Sequence, residues 1–504
     1  MKQFLRRSGF SAGMLIIAFS FGMYSLPNAQ DAQQIRSAES QTLDLRQAIQ
    51  ISLANNTQMK RSLLSVRDAD QQVRNAWSNV MPEISASANY TRNLEVPVNF
   101  IPAIIFDQTA DPDELIPVAF GTDNNWQGGF TVSQTIFSGQ AFVGISSSEL
   151  YKAAQSEGMR ATAQGIVTQT RITYYQALVA KEQFRLVQSQ VARVKKNLED
   201  TRKLFEQGFT DDYAILQLEV QLSNLEPQLT QAEFTVDEAL RNLLVVMGLP
   251  IQLSVDIKGN LGDYKIESNT ATTVPENKEL REIDSMTPLV LSTDSAEIMQ
   301  AFELRGDLRV LDIQKQLQGK QLDAQRSSYL PTVFANYGLN WTASQRGKPV
   351  FFGTDETRAR SQTLTLGVQL PIFQGFSRDA AIQRSKIQIK DTELQLYQAR
   401  QSANNEIYSA KQGVRQALKT SDALMKALKQ AERGYERALI RYQNGVGSQQ
   451  EVTDADLQLR QAESNYAQMV SGYLSAKAQY DQAVGQVPFV SHDIQDIKEK
   501  VELK

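Results

Sequence analysis

At 504 residues, 41% hydrophobic and 21% charged, the chain has the composition of a folded protein, and its net charge of −4 suggests neither nucleic acid nor an anionic surface as partner. The absence of cysteine excludes disulfides, thiol catalysis, Cys-based zinc sites and an acylated N-terminal cysteine. The single histidine, His492, cannot build a metal or triad constellation.

Residues 1–31 read as a secretory signal: Lys2, Arg6 and Arg7 precede a mainly apolar run and then small, polar residues, with cleavage expected from Ala29 to Ala32. That run is short for a spanning helix of ~20 residues, and no later segment approaches ~18 uninterrupted apolar residues. The mature chain is expected to be exported and to carry no hydrophobic spanning helix.

Two repeats follow, at 32–249 and 294–485. Each reads as helix, two strands, long helix, turn and return helix. The first places strands at 83–95 and 126–137, a long helix at 139–207 and its return at 210–247. The second places strands at 331–342 and 362–372, a long helix at 375–444 and its return at 448–485. Pro82 aligns with Pro331, Phe137 with Phe373, Gly139 with Gly375 and Gly208 with Gly445. The offset stays nearly constant except within the loop between paired strands, which implies an internal duplication. Residues 250–293 lose the periodicity and read as a mixed linker, and 486–504 as a tail.

The strands alternate. Ile84, Ala86, Ala88 and Tyr90 share one face, and Ser85, Ser87, Asn89 and Thr91 the other; Val333, Ala335, Tyr337, Leu339 and Trp341 repeat the pattern. This suits a soluble sandwich as well as a barrel strand of about 9–11 residues. Trp126 and Trp341 lie at strand ends, where an interfacial aromatic belt would put them.

The helices carry sustained heptads, for example Ile166, Thr170, Thr173 and Ala177, then Val187, Val191, Val194 and Leu198. Ile407, Ala410, Val414 and Ala417 continue the pattern in the second repeat, as do Leu218, Leu222, Leu225 and Leu229, and Val452, Ala455, Leu459 and Ala462, on the returns. Such stripes mean coiled-coil packing, and each long helix would span roughly 100 Å. Gly208 and Gly445 can end the long helices, Thr210 and Ser448 can cap the returns, and Ser448–Glu451 spells a capping box. Pro227 is expected to kink or divide the first return helix. Four strands cannot close a barrel alone, whereas two or three chains would supply eight or twelve.

The stretch from Thr42 to Met59 with its echo from Glu303 to Leu308, the strand exits SQTIF and QLPIF, and the tip YQNGVGSQQEVTDAD together resemble the TolC-type outer-membrane efflux family over essentially the whole mature chain. The resemblance implies an α+β membrane protein, with an all-α helical barrel joined to a transmembrane β-barrel of four strands per chain. It implies a homotrimer in the outer membrane of a Gram-negative bacterium with a large periplasmic part, and docking to a periplasmic adaptor and an inner-membrane pump. The expected role is the channel of a tripartite efflux or secretion system, with outer-membrane lipid as surroundings and no nucleic acid, cofactor, metal or catalytic residue. The loop from Val96 to Asn125 would be extracellular. A periplasmic adaptor would normally have one helical hairpin flanked by β domains, not two hairpins each preceded by paired strands. An enzyme would need a carboxylate, phosphate or metal constellation, and the acids here flank heptad seams.

The resemblance also assigns the tips. Gly208, Phe209, Gly445 and Val446 would contact the adaptor, while Glu451, Asp454 and Tyr442 mark the periplasmic constriction. Three copies would ring the axis with carboxylates that favour cations, and Glu451 also fits the capping box. The acid that would meet Tyr442 in the family is Ala214 here, and the arginine expected a few residues after Tyr442 is Gly447. Closure must then rest on other contacts or be looser.

Overall fold

The computed structural model describes residues 41–261 except 107, 110, 112 and 114, then 264–266, 274–275, 295–350, 354 and 356–490. The expected signal at 1–31, most of the expected linker between 262 and 294, and the expected tail beyond 490 with His492 lie outside the described residues.

A short strand β1 (Gln41–Leu43) leads into α1 (Leu45–Asn55), which begins with a full capping box between Asp44 and Gln47. Asn56 caps α2 (Thr57–Ser78) and donates from its side chain to the Val246 carbonyl at 2.7 Å, fastening this junction to a helix 190 residues away. Then come β2 (Glu83–Arg92), the hairpin β3 (Val98–Pro102) and β4 (Leu115–Ala119), and β5 (Asn124–Phe137). The long helix α3 (Gly139–Glu206) and its return α4 (Asp212–Met247) complete the first half. Short strands β6 (Val255–Ile257), β7 (Tyr264–Lys265) and β8 (Val274–Pro275) follow. The second half repeats the order: α5 (Ser295–Leu304), α6 (Gly306–Ser327), β9 (Thr332–Gln345), β10 (Arg358–Gln369), α7 (Ser377–Gln443) and α8 (Gln449–Ala483).

These bounds differ from the sequence reading at the ends. β2 stops at Arg92, before Pro97, whereas the second hairpin runs further, to Gln345 and back from Arg358. The connection from β2 to β5, read as loop, contains the β3–β4 hairpin. Asp211, not Thr210, caps the first return helix through the Ala214 amide at 3.2 Å. That helix runs unbroken through Pro227. Leu218, Leu225 and partly buried Leu222 and Leu229 pack it along α3 on both sides of the proline, which carries the helix past the one missing hydrogen bond.

The four long strands form one antiparallel sheet in the order β10-β9-β5-β2. Its register sorts the side chains into two unlike faces. One carries Ile84, Ala86, Phe130, Val132, Leu339, Leu364 and Leu366; the other carries Ser85, Ser87, Thr131, Asn340, Ser361 and Thr363. Ile84, Leu364, Leu366 and Val368 are each about 70% exposed, so the apolar face has no cover among the described residues. β2 and β10 are edges with one partner each.

At 68 and 67 residues, α3 and α7 each reach roughly 100 Å. The returns α4 and α8, at 36 and 35 residues, accompany only about half that length, and α2 and α6 pack along the rest. The main core lies at mid-height, where Ile49, Met59, Met159, Val167, Leu178, Leu243, Val414 and Val470 are buried together. Tyr174 sets its hydroxyl on the carbonyls of Leu43 and Lys258 at 3.1 and 2.6 Å, tying the β1–β6 pair to the long helix.

Candidate functional site: the helical tips

Both long helices end in the same way. Gly208 and Gly445 adopt φ +75° and +73°, which side chains on L-residues disfavour. Phe209 then donates to the Leu204 carbonyl at 2.9 Å and Val446 to that of Arg441 at 3.0 Å, so each turn closes as a Schellman motif. The closure leaves Phe209 and Val446 standing out, 76% and 67% exposed. Two matching apolar knobs therefore cap the far end of the molecule.

The expected constriction residues separate. Glu451 and Asp454 lie exposed, three apart on one face of α8. Asp454 accepts from the Gln450 side chain at 2.9 Å. Ser448 accepts from the Glu451 amide at 3.2 Å, while the Glu451 carboxylate turns to Arg441, 3.5 Å away. Arg441 also donates to the Val446 carbonyl at 3.2 Å, bracing the turn. Such an exposed pair contributes at most about 1 kcal/mol. Tyr442 stands apart from the acids: it is buried, and its hydroxyl meets Thr201 Oγ1 at 2.9 Å. Thr201 on α3 supplies the partner from the neighbouring helix.

Sequence reasoning missed the stronger lock. Asp456, buried on α8, accepts from Arg193 Nε at 2.7 Å and from Gln190 Nε2 at 3.0 Å, both on α3. The Arg193 guanidinium lies over the Tyr435 ring, 5.6 Å from its centre, so α7 joins the cluster. Burial pushes the Tyr435 hydroxyl above its ordinary pKa, and the nearby Asp456 charge adds to that. Burial likewise raises the Glu463 carboxyl, with Arg193 and Arg185 pulling the other way. The signal was present: Asp456 follows Val452 by four and precedes Leu459 by three, so an acid sits on an apolar stripe.

Higher up, Arg171 on α3 meets Asp481 on α8 at 2.7 Å, with both side chains fully buried, and Lys477 binds the same carboxylate. The same two helices are therefore pinned at two heights.

The sequence profile of the outer membrane efflux protein family matches residues 48–249 and 298–486. Protein CyaE of Bordetella pertussis is 24% identical over 63% of this chain, and the match spans 62% of its own length, under two thirds. Outer membrane protein TolC of Salmonella enteritidis is 19% identical over 89% of this chain and 83% of its own. Among solved structures, the Campylobacter jejuni CmeC outer membrane channel superposes with a TM-score of 0.69 at 18% identity, covering 91% of this chain and 89% of that one. The open state of the Neisseria gonorrhoeae MtrE outer membrane channel gives 0.66 at 17% identity, covering 88% of each chain.

Proposed function

This chain belongs to the outer membrane efflux protein family, and from that premise we propose that three copies form one continuous exit duct across the outer membrane and periplasm. As a family member it is an outer-membrane channel for export. The observation that carries the trimeric reading is the sheet: four long strands with one apolar and one polar face, and an unfinished edge on each side. Lipid offers backbone groups no partner, so β2 and β10 must pair with other copies. Three copies give twelve strands, the apolar face turned to lipid and the Ser, Thr and Asn face to the lumen. The paired long helices extend the same wall roughly 100 Å into the periplasm.

The transmembrane part then comprises β2, β5, β9 and β10, each repeat contributing one hairpin, which fits a duplicated ancestor. The tips at Gly208–Phe209 and Gly445–Val446 receive a periplasmic adaptor linked to an inner-membrane pump. Glu451 and Asp454 from three chains line the constriction, with Tyr442 behind them as a helix-to-helix contact. Fractionation tests the proposal: the protein should be recovered from outer membranes as an oligomer that heating in detergent dissociates. A soluble monomer would overturn it.

A further inference from the structure

The apolar face of the sheet changes character at the end remote from the helices. Arg92 closes that face on β2, and Arg358 and Arg360 open it on β10. All three are exposed. They stand level with aromatics: Trp126 lies beside Tyr90, with ring centres 4.2 Å apart, and Trp341 is the register partner of Arg360. Tyr90 is held in place by its hydroxyl, which donates to Asn124 Oδ1 at 2.7 Å. Tyr90, Trp126, Trp341 and Arg358 wall a mostly apolar hollow of about 380 Å³. No Asp or Glu occupies any position of this face along the four strands.

Arginines cost about 2–4 kcal/mol on a lipid-facing barrel wall at the bilayer midplane and about 0–1 near its interfaces. Across the register the apolar band begins at Phe130 and Leu339, level with Gln362 and two residues, or roughly 7 Å of strand, from Arg360, so the arginines stand above it at headgroup height. Their planar donors match phosphate oxygens, and the aromatic hollow beside them suits an apolar chain. Arg92 and the Arg358–Arg360 pair lie on opposite edge strands, so barrel closure would set them on the two sides of one seam between copies.

We propose that the arginines at this seam and the aromatic hollow bordering them within each copy form a binding site for a phosphorylated glycolipid of the outer leaflet, with Arg92, Arg358 and Arg360 holding the phosphates and Tyr90, Trp126 and Trp341 holding the first part of an acyl chain. The inference rests on the barrel reading above. Trp126 and Trp341 are two of the three tryptophans in the chain, so indole emission reports on the site. Purified oligomer is reconstituted in zwitterionic vesicles and titrated with bisphosphorylated lipid A, with dephosphorylated lipid A, and with inorganic phosphate alone. The bisphosphorylated lipid should shift the emission at concentrations at least tenfold below the dephosphorylated one, and free phosphate should leave it unmoved. Replacing the three arginines by Gln should abolish that tenfold preference, while replacing them by Lys, which keeps the charge but not the planar donors, should retain only part of it. Oligomers that insert but show equal affinity for the two lipids, or an equal response to free phosphate, overturn this inference alone. Failure to insert overturns the barrel reading with it.

Discussion

The middle of the helical body and its tip are made by the same long helices and their returns, but they are held by different means. At mid-height the seam is apolar and dense, and buried charges set in it, among them Arg171, Asp481 and Lys477, are sealed from water. At the tip the apolar contacts thin out to Val191, Val194, Leu198 and Leu218, and polar links take over: Asp456 to Arg193 and Gln190, then Tyr442 to Thr201. A packed apolar core resists separation over its whole area. A few charge-assisted hydrogen bonds can be exchanged for water or for a partner at lower cost. On this account the body is a fixed frame and the tip its releasable end, a contrast that substitutions in each can break.

The largest effect should come from the frame. Replacing Arg171 by Leu removes one of the cations that bind buried Asp481 and should cost about 1.5–3 kcal/mol. The expected outcome is a sharp fall in assembled oligomer in outer membranes, measured by immunoblot of unheated samples; wild-type abundance would contradict a fixed frame.

An intermediate effect is expected at the turn. Leu at Gly445 meets open space but a left-handed backbone, a strain of about 1–2 kcal/mol confined to the tip. Oligomer abundance should hold while efflux falls, as judged by dye accumulation in cells. Full efflux at normal abundance would argue against docking there.

The smallest effect on stability is expected at the exposed acids. Replacing Glu451 and Asp454 together by Ala should change stability by no more than about 0.5 kcal/mol. In planar bilayers the same change should weaken cation selectivity and block by a trivalent cation added from the periplasmic side. Unchanged selectivity and block would remove these residues from the constriction.

Much of this comparison was legible in the sequence, for reasons that can be named. Alternation in β2 and β9 and the heptads of α3 and α7 are local patterns, and the geometry of strand and helix converts them directly into faces. The glycine turns were legible because φ above zero selects glycine at helix ends. The Asp456–Arg193 and Arg171–Asp481 pairs were not, since their partners lie 263 and 310 residues apart and no local period connects them. Asp456 and Asp481 looked like ordinary solvated acids of a charged helix, although Asp456 stands on its stripe. The β3–β4 hairpin was missed because Pro97, Pro102 and Pro117 punctuate it like a loop.

The most direct test of the releasable tip is single-channel recording of purified oligomers, wild type against Asp456→Asn. The substitution keeps the shape but removes the charge that draws Arg193 across to α8, at a cost of about 1–3 kcal/mol. The prediction is an oligomer of unchanged abundance whose conductance is several-fold higher than the wild type's. Equal conductance from equally assembled channels would show that this contact does not hold the tip closed.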